Sequence, residues 1–346
     1  MKKRANLRFL SEGAFKGLVK VLIKTFAVYG TTLRDGFPIY SRVSGPDELV
    51  LSMRPTALSA KEFLFPQREV LLRFDREAGT HEPVIEAEDQ VIIGLHPCDI
   101  HAISLMDRVF ANGIPDANYL KRRGHTVIIG TECLPDDYCF CPSVGTMTAE
   151  DGFDIFLHKI KAGYLARIGT ERGKRLLAKA LTRLPTDKET AELEGFLKKK
   201  EASFKVRLDA PKEDLPLIYA KSDQSGVWDK IGAICYGCGS CNNVCPTCYC
   251  FDVVDTVKAD LIHGERARVW DGCTLEDFAK VAGGHNFRKT RAERLRHRFN
   301  RKFRYLSDVF NALFCVGCGR CSRTCLVKIN IAEVTNELIR EQKSGK

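Results

Sequence analysis

At 346 residues, 44% hydrophobic and 28% charged, the chain has the length of two or three domains and the composition of an ordinary soluble protein. No stretch approaches the ~18 uncharged apolar residues of a membrane span. The run Leu18 to Ile23, for example, is broken by Lys20 and followed by Lys24. The basic start, Met1 to Arg4, leads into no apolar core and cleavage site, so the expected location is the cytoplasm. Fifteen cysteines in a chain of this length and location point to metal in a reducing compartment rather than to disulfides.

Residues 1–160 alternate short apolar runs with turns. Val91 to Leu95 and Val127 to Gly130 read as buried parallel strands, and the first leads into a predicted helix from Asp99 to Phe110, so this region is expected to be an α/β domain. Cys98 follows the first strand and Cys133 the second, with Cys139 and Cys141 in the loop from Pro135 to Pro142. Loops at the carboxyl ends of neighbouring parallel strands converge on one crevice, which brings these four thiols towards each other. Spacing alone leaves three readings open: a metal site, scattered structural cysteines, or a redox-active Cys-x-Cys pair.

Residues 161–225, rich in Lys, Glu, Leu and Ala, read as a helical connection ending in a polar stretch broken by Pro211 and Pro216. Residues 226–346 carry the strongest signal. Cys235, Cys238, Cys241 and Cys245 are spaced C-x2-C-x2-C-x3-C, and Cys315, Cys318, Cys321 and Cys325 repeat it. A cysteine at every third residue of a short loop wraps three corners of one iron–sulfur cube. The fourth leaves on the next turn and serves the other cube. The expected ligand sets are therefore Cys235, Cys238, Cys241 with Cys325, and Cys315, Cys318, Cys321 with Cys245. A tetrahedral zinc site takes its ligands in pairs with a longer gap, which this spacing lacks. Pro246 follows Cys245, whereas Leu326 follows Cys325, so the path after the second run lacks that stop. The 69 residues between Cys245 and Cys315 carry helical patterns at Leu275 to Ala282 and Thr290 to Phe303. This resembles the helical ferredoxin arrangement, so the expected fold class is an α/β N-terminal domain plus a mainly α, helical-ferredoxin C-terminal domain.

Several stretches together resemble the iron–sulfur beta subunit of soluble NiFe sulfhydrogenases and the related iron–sulfur subunit of anaerobic sulfite reductases. They are Arg54-Pro55-Thr56, Phe63 to Gln67, His96 to Ile103, Cys139 to Thr146, Cys245 to Asp252 and Ala282 to Arg288. The resemblance implies an electron-transfer subunit between a flavoprotein that handles NAD(P)H and a catalytic subunit that handles hydrogen or sulfur compounds. It also favours a third 4Fe–4S cluster on Cys98, Cys133, Cys139 and Cys141, beside the two in the cysteine runs.

Cys248, Cys250 and Cys273 are left over and read as small buried residues near the clusters, with alternate ligands or a thiol site as the other reading. The formal charge of +10 counts cysteines as neutral. Two or three clusters, each roughly −2 with its four thiolates, bring it to about +6 or +4, which weakens any case for nucleic acid. The basic run His285 to Tyr305 is read as a solvated face that offsets cluster charge or a docking surface for an acidic partner, with Phe287, Phe299 and Phe303 towards the core. His96 and His101 flank Cys98 and are candidates to orient a cluster sulfur. There is no G-x-G-x-x-G after a strand, no P-loop and no nucleophile elbow, so no catalytic residue is assigned. The rival readings are a subunit that itself reduces a substrate at the Cys98 cluster, and a nucleic-acid-binding iron–sulfur protein.

Overall fold

The computed structural model describes residues 6–51 and 54–344, so Met1 to Arg4 lie outside the described residues. The strands of the first half are β1 (Leu7–Ser11), β2 (Ala27–Arg34), β3 (Phe37–Arg42), β4 (Arg68–Asp75), β5 (Thr80–Pro83), β6 (Gln90–Leu95), β7 (Thr126–Thr131), β8 (Ile155–Ile160) and β9 (Gly163–Ile168). The apolar runs predicted as strands are β6 and β7. Every residue of both is buried, as strands covered on two faces must be. They pair in parallel, Ile92 opposite Ile128, at the centre of a seven-stranded sheet of order β1-β9-β8-β7-β6-β2-β3. Strands β2, β6, β7 and β8 are parallel, and β3, β9 and β1 are antiparallel flanks.

Helices cover both faces. On one lies α1 (Glu12–Ile23), capped by the Ser11 hydroxyl, whose Phe15, Leu18, Val19 and Leu22 fall on one helical stripe and pack on Val91, Ile93, Val127 and Ile129. On the other lies α2 (Pro97–Ala111), the predicted helix, with α3 (Ala117–Gly124) beside it. Ile100, Ile103, Met106 and Phe110 of α2 and Tyr119 of α3 pack on Ile92 and Ile128. The expected helical connection contains α4 (Glu171–Leu177) and α5 (Asp187–Ala202), but it opens with β9 at Gly163.

The C-terminal part packs α6 (Leu215–Lys221), α7 (Val227–Ile234), α8 (Ser240–Asn243), α9 (Arg291–Phe303), α10 (Tyr305–Phe310), α11 (Arg320–Arg323) and α12 (Ile331–Lys343). Tyr219, Trp228, Ile231, Leu295, Phe299, Phe303 and Leu338 form its core. Helix α9 is the helix predicted from Thr290, where Thr290 and Glu293 close a capping box.

Two expectations for the segment between the cysteine runs fail. The pattern at Leu275 to Ala282 is a single 3₁₀ turn, Asp277–Ala279. It is shorter than a self-supporting helix and ends at Gly283 and Gly284, both at positive φ, while Lys280 bridges to Asn286 instead. The segment also holds a hairpin, β10 (Phe251–Val257) and β11 (His263–Trp270), and β11 pairs with β4 in a second sheet of order β10-β11-β4-β5. Phe287 is 66% exposed rather than in the core, while Phe299 and Phe303 are buried as expected.

Candidate metal centres

The two cysteine runs fold alike. In each, two glycines take the left-handed backbone that only glycine adopts cheaply: Gly237 and Gly239 (φ 68° and 74°), then Gly317 and Gly319 (φ 62° and 68°). Each second glycine starts a single helical turn, α8 or α11, that carries the third cysteine, Cys241 or Cys321. The two turns pack against each other. One cavity is lined by Cys235, Cys238 and Cys241 together with Cys321 and Cys325. A second is lined by Cys315, Cys318 and Cys321 together with Cys245. The fourth cysteine of each run thus lines the cavity of the other. Among the described residues no three His, Cys, Asp or Glu side chains close around a single ion. Thiolates at the corners of a cube stand farther apart than thiolates on one ion.

Cys98, Cys133, Cys139 and Cys141 come together as one buried group beyond the carboxyl ends of β6 and β7. Cys141, Cys133 and Cys139 all lie within electrostatic reach of Cys98. The second cysteine run is docked directly on this group. The Phe140 amide donates to the Gly317 carbonyl at 2.8 Å, the Thr146 hydroxyl to Val316 O at 2.7 Å, and the Cys141 thiol to Gly317 O at 3.3 Å. A Cβ on Gly317 would stand 2.6 Å from the Cys141 nitrogen, so the two backbones touch with no room for a side chain. Wholly buried Arg320 locks the junction. Its guanidinium forks onto Asp99, next to Cys98, at 2.6 and 2.9 Å, and donates to Thr56 O at 2.9 Å.

The electrostatics suit anionic metal–thiolate groups. Burial pushes the Cys133 and Cys315 thiols up to about 12, so they lose their protons only to a compensating cation such as a ligated metal. Buried cations surround them. Lys200 reaches Glu132 at 2.5 Å and lies near Cys133. On α9, Arg298 donates to Cys241 O at 2.9 Å, and Lys302 to Thr247 Oγ1 at 2.8 Å. Burial opposes the Lys302 charge, yet the Cys245 and Cys248 sulfurs hold its pKa above the ordinary lysine value. Among the described residues neither Arg298 nor Lys302 forms an ion pair with a carboxylate, and the groups that favour their charge are cysteine sulfurs.

The basic run is only partly the solvated face expected of it: Lys289 and Arg291 are exposed, but one stripe of the helix turns away from solvent. Arg294, Arg298 and Lys302 point inward at the cysteine runs. Their spacing at 294, 298 and 302 was visible as one helical stripe, but a stripe of charge reads as exposed unless the anion it faces is known. His101 is occupied by Thr148 O at 2.7 Å. His96 is wholly buried with neither ring nitrogen partnered, and burial pulls its pKa down to about 4, leaving a neutral imidazole beside Cys98. An orphaned imidazole, four clustered thiols and unpaired buried cations fit a bound iron–sulfur group.

Paired C-x2-C-x2-C-x3-C loops with adjoining thiol-lined cavities define an iron–sulfur protein of the dicluster ferredoxin class. Residues 234–329 match the family described as a 4Fe-4S dicluster domain. The chain is also 37% identical over 318 residues to sulfhydrogenase 2 subunit beta of Pyrococcus furiosus, covering 90% of this chain and 92% of that one. It belongs to the sulfhydrogenase beta-subunit family. No solved structure matches it.

Proposed function

We propose that the chain is a non-catalytic electron relay of a multisubunit oxidoreductase. It takes electrons from a flavoprotein subunit that handles NAD(P)H and passes them to a catalytic subunit of hydrogenase or sulfur-compound reductase type, or the reverse. The observation that carries this reading is the row of three thiol groups. The Cys98 group abuts the second cysteine run through Gly317, and that run shares Cys321 between both ferredoxin cavities. Three 4Fe–4S clusters held there would supply one-electron carriers in line. Cys98, Cys133, Cys139 and Cys141 would hold one. Cys235, Cys238, Cys241 and Cys325 would hold another, and Cys315, Cys318, Cys321 and Cys245 the third. The chain's own residues bury the middle of the row, neutralise it with Arg298, Lys302 and Lys200, and open one end at exposed Cys238, flanked by exposed Ile234, Tyr236 and Leu326. An apolar rim around an exposed ligand suits docking of a redox partner. All fifteen cysteines are free, which supports a reducing, cytoplasmic location. No helix among the described residues is long and apolar enough to cross a membrane.

Copurification tests the assembly: affinity capture of the tagged chain from its own cells under anaerobic conditions is expected to bring down a flavoprotein and a metal-containing catalytic chain. Recovery of the chain alone overturns the reading. The purified chain is expected not to reduce viologen dye with NADH or NADPH, because it lacks a dinucleotide fingerprint. Reduction without added flavoprotein would contradict this. The exchange of fourth ligands has its own signature. Cys325→Ser should alter the EPR signal that Cys238→Ser also alters, and Cys245→Ser the signal that Cys318→Ser alters. Each change falling on the variant's own run would refute the exchange.

A further inference from the structure

The three remaining cysteines meet beside the first cavity, at the base of the β10–β11 hairpin. Phe251 opens β10 opposite Trp270, the last residue of β11, and the Asp271 amide continues that pairing by donating to Cys250 O at 3.1 Å. Cys250 and Cys273 therefore flank the hairpin's open end, and their thiols lie within interaction distance of each other. The amide nitrogen of buried Asn242 stands 3.4 Å from Cys273 Sγ and 3.8 Å from Cys248 Sγ, so these two sulfurs are at most 7.2 Å apart, the sum of those distances. Asn242 is itself fixed by the Thr274 hydroxyl.

A cation from the other half of the molecule closes the group. Lys61 is buried, donates to Cys248 O at 2.9 Å and lies 3.7 Å from the centre of the Trp270 ring. Among the described residues it forms no ion pair; the half-buried Glu62 carboxylate interacts with it only at longer range, and the cysteine sulfurs are the groups that favour its charge most. A buried ammonium without a counter-charge is strongly unfavourable. If these thiols were only packing residues, nothing here would require the charge. If they are metal-bound thiolates, it is accounted for. The Cys-x-Cys step of Cys248 and Cys250 also repeats that of Cys139 and Cys141.

We propose that Cys248, Cys250 and Cys273 hold a further 4Fe–4S cluster through three protein thiolates, with Lys61 as its buried counter-charge. Four irons and four sulfides come from outside the protein, and the three thiols release three protons on ligation. Because Cys245 lines the neighbouring cavity, the fourth iron is left to a ligand that is not a protein thiolate. Cys250, the partly exposed member, marks the side from which that ligand enters.

The proposal shares with the relay reading only that the chain assembles iron–sulfur clusters. It is tested by a difference in iron content, whatever the occupancy of the Cys98 group. The full-length chain is reconstituted anaerobically with iron and sulfide, and iron and acid-labile sulfide are counted per chain. Cys250→Ser and Cys273→Ser should each lose about four irons relative to wild type, with an unchanged circular dichroism spectrum. A double variant, Cys238→Ser/Cys273→Ser, should hold about four fewer than Cys238→Ser alone. Equal iron in the double variant and in Cys238→Ser would mean that Cys273 acts only through the Cys241 cavity, and would overturn the proposal. So would alkylation of Cys248, Cys250 and Cys273 by maleimide in the fully reconstituted wild type, a result that needs no variant to fold.

Discussion

Replacing Cys133 by serine removes about four irons from the anaerobically reconstituted chain and leaves the clusters of the two cysteine runs in place. A serine hydroxyl is harder than a thiolate and holds its proton far more tightly, so it is a poor ligand for iron in a sulfide cage. The loss is confined because Cys133 lies just beyond β7, on the α/β side of the junction, whereas the eight cysteines of the two runs line two cavities among the helices. Iron analysis together with EPR of the dithionite-reduced protein reads both halves of the result. A Cys133→Ser variant with wild-type iron would return Cys98, Cys133, Cys139 and Cys141 to structural cysteines, and the relay would lose its α/β end.

Arg320→Leu costs about 3–5 kcal/mol of stability, because it leaves Asp99 charged and buried with no counter-charge and only the Tyr40 hydroxyl, at 3.5 Å, as a partner. Both side chains are at most 2% exposed, so solvent does not rescue the carboxylate. The damage falls on the seam between Cys98 and the second cysteine run, since Asp99 lies on the first turn of α2 and Arg320 on α11. Cluster proteins of this kind unfold irreversibly, so the measurement is the rate of iron loss at a fixed elevated temperature, followed by visible absorbance. The paired variant Asp99→Leu/Arg320→Leu should recover most of the loss, because it removes both charges together. A double variant as labile as the single one would show that packing, rather than the buried charge, sets the cost.

What could be read from the sequence divides along physical lines. Strands β6 and β7 and helix α2 were legible because a parallel strand buried on both faces is an unbroken apolar run, and the helix after it is marked by Pro97 at its first turn. The two cysteine runs were legible because ligand spacing is a local constraint. Hairpin β10–β11 was not. Every residue of β10 is exposed, and the charged pair Asp255–Arg266, at 2.7 Å, makes the segment look like a loop. The buried cations were missed for a related reason. Arg320 and Lys200 answer the buried carboxylates of Asp99 and Glu132, while Arg298, Lys302 and Lys61 form no ion pair with a carboxylate among the described residues, so their inward orientation follows from buried charge and not from hydropathy. The gathering of the four N-terminal thiols was legible, from strand-end geometry for Cys98 and Cys133 and from the short loop for Cys139 and Cys141; the docking of the second cysteine run on that loop was not.

The pairing of β11 with β4 bears on how such a protein is inherited. Strand β11 comes from between the two cysteine runs, β4 from the first quarter of the chain, and each fills one edge of the other. A gene rearrangement that moved residues 226–346 to a new host would carry away β11 with one edge bare, a ready template for pairing with a stranger's strand and for aggregation. The plain ferredoxin, with its short spacer, can be copied and fused freely. This version is stitched to its α/β neighbour, so the two halves must travel, duplicate and diverge as one unit.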